Sequence, residues 1–131
     1  MILMISRIQY ITQGATADQI VSEVKEVVEA GIDWVQLRMK DDSLDHESIA
    51  RSVKEICENK ATFILNDKVE LAAAVEADGV HLGLKDMPIS EAREILGSDK
   101  IIGGTANTMA DCLNHERAGA DYIGMGPFAF T

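Results

Sequence analysis

Ala30-Gly31-Ile32-Asp33-Trp34-Val35 returns later in the chain as Ala77-Asp78-Gly79-Val80 and again as Ala118-Gly119-Ala120-Asp121-Tyr122-Ile123. The three aspartates lie 45 and 43 positions apart, and each copy follows an amphipathic stretch and precedes a short β-rich run. That order reads as a helix C-terminus, a tight glycine turn and the entry to a strand. Two further apolar runs, Ala61-Thr62-Phe63-Ile64-Leu65 and Lys100-Ile101-Ile102-Gly103, fall between the copies and reduce the period to about 22 residues, the size of a compact βα unit.

Working outward, strands are predicted near 7–12, 33–38, 61–65, 78–82, 100–104 and 121–125, with five helices between them. Ile20, Val21, Val24, Val27 and Val28 recur at helical spacing, as do Ile49, Val53 and Ile56, then Ile89, Ala92, Ile95 and Leu96. Thr16 with Gln19 has the form of a capping box, and Gly31, Gly97 and Gly119 stand where C-terminal caps belong. Strict alternation of strand and helix implies a parallel sheet with helices outside it. An open doubly wound sheet and a (β/α)8 TIM barrel cut short both fit. Ile11-Thr12-Gln13-Gly14-Ala15 follows the first strand where a dinucleotide fold would carry its glycine fingerprint, so the barrel is preferred. About six strands and five helices are then expected in one barrel domain over 1–131, incomplete at its C-terminus.

Composition narrows the function classes. With 47% hydrophobic residues among 131, the chain can bury a real core, which excludes disorder. A net charge of −10 opposes binding to nucleic acid or anionic membranes, and no basic patch overrides it. The apolar start Met1 to Ile5 is interrupted by Ser6 and Arg7, leaving no secretory core and no membrane span, so a cytoplasmic location is expected. Cys57 and Cys112 have no Cys or His beside them at zinc-finger spacing and read as buried thiols.

In a parallel barrel, chemistry gathers at the C-terminal ends of the strands. In the second strand Gln36, Arg38 and Lys40 share one face, and Val35, Leu37 and Met39 the other. Two inward cations call for an anion, unless the strand end simply frays into solvent. Asn66 and Asp67 end the third strand and Asp86 follows the fourth; two carboxylates there can converge on magnesium, which takes one or two protein carboxylates plus phosphate oxygens. Asp67 could instead cap the next helix and Asp86 could shape the turn before Pro88. His81 reads as a hydrogen-bonded interior histidine rather than a base. Gly103-Gly104-Thr105 is expected to bring a hydroxyl and an amide to a helix start as an anion cradle, or to be a plain glycine turn; Gly124-Met125-Gly126-Pro127 has the same double meaning.

With these residues at one end of successive strands, the sequence resembles the thiamine phosphate synthase family. The matching segments are Tyr10-Ile11-Thr12, Val35 to Lys40, Ile64-Leu65-Asn66-Asp67, Ala77 to Gly83, Ile101 to Thr105 and Gly119 to Pro127. The resemblance implies a transferase that joins hydroxymethylpyrimidine diphosphate to thiazole phosphate and releases pyrophosphate. It implies that Gln36 and Asn66 contact the aminopyrimidine, that Arg38, Lys40 and Thr105 hold the diphosphate, that Leu37 and Met39 belong to the same substrate-binding run, and that Asp67 and Asp86 bind Mg2+. No general base is then required of His81. Family members continue into a T-x-T-K segment, of which Thr131 supplies the first threonine, also a substrate-binding position. The sequence is therefore expected to be the front of a longer protein or to need another chain to complete the barrel, and open sheet edges would favour a homo-oligomer. The rival functions are a thiazole tautomerase-like isomerase, which resembles the synthase in fold but needs neither metal nor diphosphate, and a non-catalytic remnant that binds a thiamine precursor.

Overall fold

The structure, a computed structural model, describes residues 5–126. Six strands, β1 (Tyr10–Ile11), β2 (Trp34–Leu37), β3 (Thr62–Asn66), β4 (Gly79–Leu82), β5 (Ile101–Ala106) and β6 (Tyr122–Met125), alternate with α1 (Ala17–Glu29), α2 (His46–Cys57), α3 (Val69–Val75), α4 (Ile89–Leu96) and α5 (Met109–Ala118). All strand pairs are parallel, and the sheet order is the chain order. Sequential order is that of a curled half-barrel, and it excludes the doubly wound alternative, whose strand order reverses at a switch point.

Alternation along β2 shows how the layers separate. Val35, Leu37 and Met39 are buried in the cluster formed with the helices, alongside Phe63, Leu65, Val80, Leu82 and Ile102 of the later strands. Ile20, Val24 and Val28 of α1, Ile49 and Val53 of α2, and Ala72 and Val75 of α3 meet them. Each such aliphatic side chain contributes about 1.5–3 kcal/mol on burial. The other face of the same strands carries Gln36, Asn66, His81 and Thr105, so hydrophobic packing aims the polar residues inward.

The capping signals are met with one change. Thr16 Oγ1 accepts from the Gln19 N–H at 3.2 Å, while the Gln19 side chain accepts from Ala15 N–H rather than from Thr16. Gly31, Gly97 and Gly119 all have φ near +90 to +100°, the region where a side chain is strained. Cys57 is buried as expected, and burial, with Asp78 nearby, pushes its thiol up to about 12. Cys112 is only half-buried, because α5 buries no residue fully and leaves Met109 and Leu113 exposed. Among the described residues, no helix is long and apolar enough to cross a membrane.

The repeated aspartate has a structural task. Asp78 accepts the Phe63 N–H through Oδ2 at 2.8 Å and donates its own N–H to Phe63 O at 2.8 Å. Asp121 does the same to Ile102, at 2.9 and 2.7 Å, and also pairs with Arg93. Each aspartate clips the strand it heads to the strand before it, satisfying a buried N–H where the ladder begins.

Candidate active site

The inner face of the curl encloses a cavity of about 980 Å³ that is lined in part by Gln36, Arg38, Asn66, Asp86 and Thr105. These five sequence-predicted residues come from the C-terminal ends of β2, β3 and β5 and from the turn after β4. Arg7, Gln9, Trp34, His81 and Tyr122 share the same lining. Arg7 and Arg38 are exposed at the rim, and neither is in an ion pair among the described residues. Two unpaired guanidinium groups against one carboxylate make the mouth locally cationic in a chain of net charge −10.

Inside, the polar groups are joined. Asn66 Nδ2 donates to Gln36 Oε1 at 2.8 Å, and Gln36 Nε2 donates to Gln9 Oε1. Gln9 Nε2 donates to the Tyr122 hydroxyl at 3.4 Å. His81 Nδ1 lies 2.7 Å from that hydroxyl, and its Nε2 lies 2.9 Å from Thr105 Oγ1. Burial holds the His81 pKa below the usual histidine value, against a partial upward pull from Asp86. Burial pushes Tyr122 up to about 12, opposed by the Gln9 hydrogen bond. Trp34 packs edge-on against Tyr122 with ring centroids 4.9 Å apart, and its buried indole N–H has no hydrogen-bond partner among the described residues.

Other expectations change. Thr105 lies within β5 and not at a helix start, since α5 begins at Met109 behind its own cap, Thr108. The two glycines before it are filled by neighbours instead of cradling an anion. A Cβ on Gly103 would overlap the Tyr122 ring, and one on Gly104 would stand 2.9 Å from both His115 Cδ2 and Ile89 Cδ1. Gly124 likewise faces His81, whose Cε1 lies 3.0 Å from the Cβ position. The Leu37 and Met39 side chains are in the helix-facing core, so only their backbone can reach the cavity. Lys40 is exposed beyond the lining, and Thr131 is outside the described residues.

The carboxylates divide. Asp86 Oδ2 accepts the Gly83 N–H at 2.7 Å, which is the turn-shaping role, and leaves Oδ1 for another partner. Asp67 does not cap α3; Lys68 holds that position without a side-chain bond. Asp67 and Lys68 both take left-handed backbone, φ 58 and 45°, which is uncommon for two non-glycine residues in succession. Asp67 is half-buried, outside the cavity lining, and its carboxylate has no hydrogen bond among the described residues. Two hard carboxylates with oxygen capacity to spare fit magnesium by donor chemistry.

Gln9 and Tyr122 are site residues that sequence reasoning passed over. Period-two alternation did place Gln9 with Arg7 and Ile11 on one face, and that was the available signal.

The model of the family described as thiamine monophosphate synthase matches residues 8–131. The chain belongs to that family. It is 49% identical over 130 residues to the thiamine-phosphate synthase of Flavobacterium johnsoniae, covering 98% of this chain and 61% of that protein. The corresponding protein of Bacteroides fragilis is 50% identical over 126 residues, covering 95% and 62%. Among solved structures, thiamine phosphate pyrophosphorylase from Pyrococcus furiosus superposes with a TM-score of 0.80 at 33% identity, over 92% of this chain and 60% of that one. The chain thus spans about three fifths of the length of these two thiamine-phosphate synthases.

Proposed function

We propose that this chain carries the pyrimidine-diphosphate half of a thiamine phosphate synthase site, in a (β/α)8 barrel of which it holds six strands. The observation that carries the reading is the gathering of Gln36, Arg38, Asn66, Asp86 and Thr105 around one cavity in a member of this family. The reaction joins hydroxymethylpyrimidine diphosphate to thiazole phosphate. The methylene C–O bond breaks with its electron pair leaving on the diphosphate, and the thiazole nitrogen lone pair forms the new C–N bond. Charge therefore accumulates on the leaving group, and groups that meet it more strongly in the transition state accelerate the step.

Arg38, aided by Arg7 at the same rim and by Lys40 beyond it, supplies positive charge to the departing oxygens. Thr105 donates a hydroxyl to them. Gln36 and Asn66 orient the aminopyrimidine, and Ile11, Trp34 and Ile123 of the same lining keep water from the methylene carbon. Magnesium, held by Asp67 and Asp86, would supply positive charge that stabilises the departing diphosphate.

The test combines turnover and binding. Pyrophosphate release is expected only with both substrates and magnesium present. Magnesium pyrophosphate should bind by calorimetry, weakened about tenfold or more in Arg38→Met, the scale of one lost charge-assisted contact. Failure of both release and pyrophosphate binding would refute the reading.

A further inference from the structure

We propose that Asn66, Gln36, Gln9, Tyr122, His81 and Thr105 form one hydrogen-bond chain with a fixed direction, ending in an acceptor on Asn66 and a donor on Thr105. Direction follows from the partners. Gln36 offers its carbonyl to Asn66 and its amide N–H to Gln9, so Gln9 has only its own N–H left for Tyr122. The phenol hydrogen has no acceptor other than His81 Nδ1 among the described residues, and it is assigned to that nitrogen. A neutral imidazole whose Nδ1 accepts carries its proton on Nε2, and that N–H points at Thr105 Oγ1. The Thr105 hydroxyl, accepting from His81, has its hydrogen free for the cavity. At the other end Asn66 Oδ1 accepts nothing among the described residues.

The cavity is therefore polarised. It presents an acceptor on β3 and a donor on β5, which selects a ligand carrying an amine N–H at one end and an anionic oxygen at the other. An aminopyrimidine diphosphate has that pattern, and this match alone rests on the synthase reading. Gln9, Tyr122 and His81 act as positioning residues, because reversing any one of them would turn the Thr105 hydroxyl from a donor into a group that repels phosphate oxygen.

The test needs no substrate. The chain has 3 histidines, and nitrogen-15 correlation spectra of the imidazoles, assigned with His81→Asn, report which nitrogen of His81 carries the proton. Protonated Nε2 and bare Nδ1 are expected at neutral pH. Gln9→Glu keeps the shape and keeps an acceptor for Gln36 but swaps the donor facing Tyr122 for a carboxylate oxygen, kept charged by Arg7 and Arg38 at the same cavity. It should flip His81 to the Nδ1–H form and weaken magnesium pyrophosphate about tenfold, whereas Gln9→Leu should affect affinity less than Gln9→Glu. A native Nδ1–H tautomer, or an unchanged tautomer in Gln9→Glu, overturns the proposal while leaving the synthase reading standing. Failure of both pyrophosphate release and pyrophosphate binding, with the expected tautomers, would do the reverse.

Discussion

Gly103→Ala tests whether that glycine exists to admit Tyr122. The new Cβ would overlap the Tyr122 ring and stand 2.5 Å from its hydroxyl oxygen, against about 3.5 Å or more for an ordinary contact. The nearest ring atom would be 2.0 Å away, so the ring must retreat by about 1.5 Å, which stretches the 2.7 Å bond to His81 beyond hydrogen-bonding range and opens the 4.9 Å contact with Trp34. Overpacking costs about 1–3 kcal/mol, the lost hydrogen bond about 0.5–1.5 and the aromatic pair about 0.5–1.5. These overlap, so the expected loss is about 2–4 kcal/mol, a large part of a typical domain's stability. In a Tyr122→Leu background the offending atoms are gone. Gly103→Ala should then be neutral or stabilise by about 0.5–1 kcal/mol, the usual penalty for glycine inside a strand. Urea unfolding followed by circular dichroism measures all four proteins of the cycle. An equal cost in both backgrounds, or a cost under about 0.5 kcal/mol in the native one, would return Gly103 to an open turn.

Asp78→Ala should cost about 1–3 kcal/mol in the same unfolding assay by orphaning the buried Phe63 N–H, and Asp78→Asn clearly less, since an amide oxygen still accepts; equal losses would mean the clip is not a hydrogen bond. Both tyrosines have pKa values raised to about 12, Tyr10 by its hydrogen bond to Glu23 and Tyr122 by burial. Spectrophotometric titration of the folded chain should therefore show no phenolate step near pH 10. Their raised folded values also mean that stability is full below pH 10 and falls as pH rises from 10 toward 12; a step near 10 without unfolding would contradict the geometry. Asp67→Asn should raise the magnesium concentration needed for pyrophosphate binding by about tenfold with little effect on the unfolding midpoint, because the carboxylate has no protein partner among the described residues. An unchanged magnesium requirement would remove Asp67 from the site.

The fold was legible because its signals are local and repeated. Apolar spacing marks the helices, and the returning aspartate marks strand entries, where its second and third copies, Asp78 and Asp121, perform the same clip on the preceding strand. Strand alternation sorts Gln36 inward and Leu37 outward, and the position of Arg38, Asn66, Asp86 and Thr105 at the same end of successive βα units groups them around one cavity. Gly103-Gly104-Thr105 reads in sequence as an anion cradle at a helix start or as a plain glycine turn, and lies inside β5 instead, because a glycine position looks the same in sequence whether an anion or the Tyr122 ring fills it. Gln9 and Tyr122 were missed for a different reason. They are 113 residues apart, and no local pattern in either strand announces a partner on the other edge of the sheet.

That distant pair bears on how the protein matures. Every strand hydrogen-bonds to the strands next to it in sequence, so the sheet can grow in the order in which the chain leaves the ribosome, with short loops to close at each step. The link from Gln9 to Tyr122 must wait until the sixth strand has docked. Trp34 is the only tryptophan and touches Tyr122, so its fluorescence is a built-in reporter of that moment. A chain caught before then would have most of its sheet and no polarised cavity, so the continuous line of hydrogen bonds from Asn66 to Thr105 forms only once β6 has docked.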